Sequence, residues 1–145
     1  MMLKTKSNGG AMILSVCIDD KYGMVFNKRR QSRDRAQQED LLRWCTGRKL
    51  WMNSYSAAMF EGAEVFVDDA FLKKAETGDV CFVENLPLKE LESQIEAIIL
   101  YRWNRTYPAD LRFDLDLSAF HLEETIEFTG TSHEVITREI YKRKG

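Results

Sequence analysis

Five short runs of β-branched and aliphatic residues recur along this chain, and between them lie stretches with helical spacing or clusters of breakers. That recurrence constrains the fold more than any other feature, because strands covered on both faces read as continuous apolar runs rather than as alternating ones. The first run, Ile13 to Ile18, ends at the acidic, glycine-bearing DDKYG. The charged NKRRQSRDR follows and leads into AQQEDLLRWC, where Ala36, Leu41, Leu42 and Cys45 share one helical stripe. Asp34 and Gln37 have capping-box spacing, which sets the helix start, and Gly47 suits its C-terminal cap. Leu50 to Met52 reads as a short buried strand, with Asn53 or Ser54 able to cap a helix directly after it.

The pattern then repeats. AEVFVDD (63–69) alternates as a strand, AFLKKAE is a short helix closed by Gly78, and VCFV is a buried strand. LPLKELESQ is a short helix with Pro87 in its first turn, and IEAIILYRW is a long apolar strand. Strand followed by helix, four times over and closed by a final strand, specifies an α/β fold with a mostly parallel central sheet and helices on both faces. The C-terminal part differs: YPADLRFDLDLSAFHLEE is a polar excursion with apolar anchors, and TIEFTGTSHEVITREIYKR alternates about a Gly130 turn as a closing antiparallel hairpin. Residues 1–11 are polar and glycine-rich and are expected to be a disordered arm or a remnant of an upstream start, with a single domain over 12–145.

Composition narrows the function classes. The 145 residues, 44% hydrophobic, supply one core, and 21 basic against 23 acidic residues give a net charge of −2, so no global field draws nucleic acid or anionic lipid. No apolar run approaches a membrane span, which predicts a cytoplasmic protein without a membrane partner. Cys17, Cys45 and Cys81 are odd in number and far apart, as befits buried free thiols. A metallo-β-lactamase-type hydrolase needs a histidine-rich ligand cluster, whereas only His121 and His133 are present, so no metal is expected. His133 is expected to be a solvated loop residue, and His121 a linker residue beside Phe120. Lys28, Arg29, Arg30, Arg33 and Arg35, opposed locally by Asp34 alone, form a basic cluster. Its functional reading is a phosphate or RNA contact, and its plain reading, which is favoured, is a solvated loop.

From Met12 onward the order and spacing of these elements resemble the dihydrofolate reductase-like family. Tyr22-Gly23-Met24 matches the turn after the family's first strand, and Leu50-Trp51-Met52-Asn53-Ser54-Tyr55-Ser56 matches the strand that opens a helix. Phe82-Val83-Glu84-Asn85 falls on the F-V-I-G-G motif, Asp110-Leu111-Arg112-Phe113-Asp114 on the late D-t-x-F-P element, and HEVITREIYKRK on the closing strand. The resemblance implies a cofactor site at Asn53, Ser54, Tyr55, Ser56, Glu84 and Asn85, because a strand running into a helix N-terminus aims free N–H groups at a phosphate. It implies a substrate pocket near Gly23, Gln38, Leu42 and Trp103, with Asp40 or Glu39 as the acid, although a solvated helix-face carboxylate is the plainer reading for both.

The departures oppose NADPH. The family's Gly and Arg have become Asn53 and Ser54, which removes a close backbone approach and a fixed positive charge. The Gly-Gly pair, joined in the family by a cis peptide, has become Glu84-Asn85 and brings a carboxylate toward the pyrophosphate. The span between Phe60 and Val80 has room for one strand and one helix, where the family has more. The expectation is a dihydrofolate reductase-like domain without reductase activity and without a cofactor, binding a small nucleotide- or pterin-like ligand or a protein partner. A divergent NADPH-dependent reductase is the alternative, and a phosphate- or RNA-binding protein using the arginine-rich loop is the third reading.

Overall fold

The computed structural model describes residues 11–145. Most of the expectation for residues 1–11 therefore lies outside the described residues, and the exception, Ala11, accepts a hydrogen bond from Gly78 N. Ten strands and three α-helices follow one another as β1 (Met12–Ile18), β2 (Gly23–Phe26), β3 (Arg29–Arg30), α1 (Arg35–Trp44), β4 (Leu50–Met52), α2 (Ser54–Ala57), β5 (Phe66–Val67), α3 (Phe71–Lys74), β6 (Val80–Phe82), β7 (Ile95–Arg102), β8 (Leu111–Arg112), β9 (Phe120–Phe128) and β10 (Ile136–Arg143). Single 3-10 turns add Ala58–Phe60, Lys89–Gln94 and Leu117–Ala119.

A seven-stranded sheet runs β5-β4-β6-β1-β7-β10-β9. The first five are parallel, with β1 at the centre between β6 and β7. β10 is antiparallel to both β7 and β9 and makes the closing hairpin. This is the mostly parallel α/β architecture anticipated from the apolar runs. Because side chains alternate across a strand, Met12, Leu14, Val16 and Ile18 pack on one face with Ile98, Leu100, Phe71, Leu88 and Phe113. Ile13 points to the other face, with Ala97, Ile99, Tyr101, Leu41, Cys45, Phe60 and Trp103. Burial on both faces is what removed the period-two signal from these strands. Burial also pushes the Cys45 and Cys81 thiols up to about 12, which makes them inert packing groups.

The helix caps follow the sequence. Asp34 caps α1 by accepting from Ala36 N and Gln37 N, and Asn53 caps α2 by accepting from Ser56 N. Gly47 and Gly78 adopt φ of 82° and 85°, a region open to glycine at little cost. Four features differ from expectation. The charged segment after β1 contains a hairpin, β2–β3, and β8 joins it in a three-stranded sheet of order β3-β2-β8. Its two turn residues, Asn27 and Lys28, both have positive φ, 53° and 65°, the conformation of a tight hairpin turn without the usual glycine. The strand expected over 63–69 contracts to Phe66–Val67. Pro87 precedes a 3-10 turn instead of starting a helix. β9 begins at Phe120, earlier than the alternation suggests, because it is a sheet edge whose Glu123 and Glu124 lie in solvent.

Ile99, fully buried between β1 and β10, sits at the densest part of the sheet. Ile99→Ala is expected to lower the unfolding free energy by about 2 to 5 kcal/mol, read as a reduced urea midpoint with an unchanged slope.

Candidate functional site

The carboxyl ends of β4 and β6 meet the N-terminus of α2, which is where the sequence placed a phosphate cradle. The six residues named for it do come together there, but Asn53, Ser56, Glu84 and Asn85 bind one another, Ser54 binds Asp69 and Tyr55 binds Arg30. Asn53 Nδ2 donates to Asn85 Oδ1 at 3.0 Å across the crevice. Ser56 Oγ donates to Glu84 Oε1 at 2.8 Å. Two of the cradle's N–H groups are taken, Ser56 N by Asn53 Oδ1 at 3.0 Å and Ser54 N by Asp69 Oδ1 at 2.9 Å. Asp69 also accepts from Ser54 Oγ, and the backbone and hydroxyl hydrogen bonds of Ser54 hold its carboxyl below the usual range. A resident carboxylate thus takes both donors of Ser54, which a phosphate at this helix start would otherwise meet.

Arg30 completes the network, and here the basic cluster reads differently from a solvated loop. Its Nε and Nη2 grip Glu84 at 2.9 and 3.0 Å, in the bidentate geometry that a guanidinium and a carboxylate favour. Nη2 also donates to the Tyr55 carbonyl at 3.1 Å, and the guanidinium lies 4.3 Å from the Tyr55 ring centroid. Arg30 N donates to Tyr55 Oη at 2.9 Å. The β2–β3 hairpin is thereby tied over the strand ends. Glu84 does not stand there as an unpaired repulsive charge, since it is the hub of an internal ion pair. Lys28, Arg29, Arg33 and Arg35 remain exposed.

The expected acids are placed differently from each other. Glu39 is exposed at the mouth of a cleft of about 640 Å³ between α1 and the Ala58–Phe60 turn, whose lining includes Arg33, Arg35, Gln38, Leu42, Met59 and Thr131. Asp40 is neither solvated nor in that cleft. It accepts from Tyr101 Oη at 2.7 Å and from Arg138 Nη1 at 2.9 Å, and so pins α1 to β7 and β10. A helix whose buried face carries Gln37, Gln38, Asp40 and Leu41 can hide an acid only because Arg138 meets it there. That partner lies 98 residues away. Of the pocket candidates, Gln38 and Leu42 line the cleft. Gly23 is packed instead under the loop after β7: a Cβ there would stand 2.5 Å from Ala109 Cβ, and its N donates to buried Asp19. Trp103 is buried and carries a different ring.

That ring is His133, 3% exposed and stacked on Trp103 at 4.5 Å between centroids. The expectation of a solvated loop histidine is wrong because Asp34 pulls it inward: His133 Nδ1 lies 2.9 Å from Asp34 Oδ2. Asp34 also accepts from Thr131 N at 2.9 Å, Thr131 Oγ1 at 3.0 Å and Ser132 N at 2.7 Å. Gly130 permits the approach, since a Cβ there would meet Asp34 Oδ2 at 2.6 Å. On the far side of the ring, His133 Nε2 lies 3.0 Å from Ser32 Oγ and 2.9 Å from Tyr107 Oη. Asp34 was legible in the sequence as a helix cap. Its second role had no local signal. His121 is exposed on β9 and belongs to that strand rather than to a linker. Among the described residues no three His, Cys, Asp or Glu side chains converge as metal ligands, and no helix is long and apolar enough to cross a membrane.

A dihydrofolate reductase from Enterococcus faecalis, solved with NADP(H) and RAB-propyl, is similar to this chain with a TM-score of 0.68, over 95% of this chain and 99% of its own, at 14% sequence identity. The chain has the dihydrofolate reductase-like fold. No family model and no curated protein sequence matches it.

Burial disfavours the charge on Asp34, yet the hydrogen bonds from His133, Thr131 and Ser132 outweigh it and hold the carboxyl well below its ordinary range. A carboxyl depressed in the folded state contributes stability that is complete above its unfolded pKa and lost as pH falls through the folded one. Denaturant titrations of wild type and Asp34→Asn are therefore expected to differ most at neutral pH and to converge as pH drops below about 4. A gap that does not change with pH would contradict the assignment.

Proposed function

We propose that this domain keeps the dihydrofolate reductase-like scaffold without cofactor-driven reduction, and binds a small nucleotide- or pterin-like molecule in the cleft beside α1. The observation that carries this reading is the Arg30–Glu84–Ser56 network across the strand ends. Hydride transfer needs the nicotinamide and its pyrophosphate held against open backbone and positive charge. Here the Arg30 charge is committed to Glu84, and the Ser56 and Ser54 N–H groups to Asn53 and Asp69. A cofactor displacing Arg30 would strand the Glu84 carboxylate, whose side chain is 9% exposed, at a cost of about 3 kcal/mol, roughly a hundredfold in affinity.

The cleft is the opposite case. Leu42 and Met59 offer apolar contact for a planar ring, the Gln38 amide offers a donor and an acceptor, and Arg33 and Arg35 at its edge suit an anionic tail. Of the acids that line it, Asp34 is held by His133, Thr131 and Ser132, and Glu39 and Glu61 are exposed at its edge, while Asp40 is turned away and tied to Arg138. This favours binding over catalysis at that place.

Thermal melts with NADPH, NADH, nucleotides and folate analogues test the reading, since a ligand selective for the folded state raises the midpoint. A saturable shift is expected from a nucleotide or folate analogue and is expected to vanish in Gln38→Leu, with no shift from NADPH. A saturable NADPH shift accompanied by NADPH oxidation with a folate substrate would overturn it and promote the divergent reductase.

A further inference from the structure

We propose that Ser32, His133 and Asp34 form a separate nucleophilic site that cleaves short-chain activated esters by acyl transfer to the Ser32 hydroxyl. The three side chains stand in the relation such chemistry requires: a hydroxyl within hydrogen-bond reach of a base, and the base oriented by a third group. Ser32 Oγ is 3.0 Å from His133 Nε2, and His133 Nδ1 is 2.9 Å from Asp34 Oδ2. A carboxylate only accepts, so the ring proton belongs on Nδ1, and the Nε2 lone pair is the acceptor that the Ser32 and Tyr107 hydroxyls share. Neither the ring nor Asp34 needs to reorganise. Trp103 lies 15° from coplanar with the imidazole, and Asp34 is held by Thr131, Ser132 and the first turn of α1.

Tyr107 supplies the remaining part. Its hydroxyl is 3.3 Å from Ser32 Oγ and 2.9 Å from His133 Nε2. When Ser32 Oγ is bonded to a carbonyl carbon, that O–H is next to the oxygen on which negative charge develops, where a placed donor is most effective. Ser32 is half-buried and lies beside, not in, the lining of a groove of about 250 Å³ formed by Gln31 and Tyr107 with Phe26, Arg30 and Pro108. The groove's size and the half-exposed Phe26 ring suit a short acyl chain. The pins that hold this region together run through Asp34. The Ser32 hydroxyl bonds only His133 and Tyr107 among the described residues.

The reaction balances with water alone. Ser32 Oγ bonds the ester carbonyl carbon while its proton passes to His133 Nε2. The adduct collapses by breaking the carbon–oxygen bond to the alcohol, which leaves with the proton from Nε2. Water then attacks the acyl-serine with its proton taken by Nε2, and that proton returns to Ser32 Oγ as the carboxylic acid departs. The site shares Asp34 with the lining of the 640 Å³ cleft, whereas Ser32, His133 and Tyr107 lie outside it, so labelling of Ser32 and a ligand-induced shift at Gln38 are separate readouts.

The full-length protein treated with a fluorophosphonate probe is expected to gain one phosphonyl adduct, mapped by peptide mass spectrometry to Ser32. It is also expected to release nitrophenolate from p-nitrophenyl acetate above the buffer rate. Ser32→Ala, with its folding verified by an unchanged thermal midpoint, should lose both signals, and Tyr107→Phe should slow both by roughly tenfold or more. A hydrogen bond that only ties the loops together would leave wild type unlabelled. That result, or labelling and turnover that persist in Ser32→Ala, overturns the proposal.

Discussion

The Asp34 carboxylate is the constraint that ties the start of α1 to the β9–β10 turn and orders the side chains around it. One side chain closes the first turn of α1, accepts two backbone N–H groups of the β9–β10 turn, and holds the His133 ring. Helix start and sheet end are thereby fixed to each other across 99 residues. The ring stack on Trp103, the reach of Tyr107 and the position of Ser32 all follow from that fixture. A buried carboxylate is tolerated only when its lone pairs are filled, and here they are filled by groups from two distant parts of the chain.

The same economy governs the rest of the site. Glu84 is met by Arg30 and Ser56, Asp69 by Ser54, and Asp40 by Tyr101 and Arg138. In an open α/β sheet the strand ends are where a ligand ordinarily meets unpaired backbone and charge. This chain has turned many of those groups toward one another across the crevice, while the cleft beside α1 is lined by Gln38, Leu42 and Met59. The two regions therefore have different chemistry, one dominated by internal ion pairs and hydrogen bonds and one lined by apolar and amide side chains.

Legibility tracked the range of the interaction. The parallel strands were readable because burial on both faces leaves an unbroken apolar run. The caps Asp34 and Asn53 were readable because a cap acts within three residues of itself. The β2–β3 hairpin was hidden by the shortness and charge of its second strand, Arg29–Arg30, and by an Asn-Lys turn in place of Asn-Gly. The early start of β9 was hidden because an edge strand faces water and drops the alternation. Asn53, Ser56, Glu84 and Asn85 were recognised as neighbours, but Arg30 as their partner was not, since nothing in a basic loop tells which of its arginines folds back.

By itself, the order of apolar runs, caps and turns determined the fold class and the place of the strand–helix junction, since these depend on periodicity and on contacts between residues close along the chain. Tertiary structure alone decided which charges are free. Glu84, Asp40 and His133 each looked like an available group, and each is claimed by a partner from another element. A pairing between side chains 54 to 99 residues apart leaves no mark on local pattern, and only the folded backbone brings the two atoms within hydrogen-bond reach.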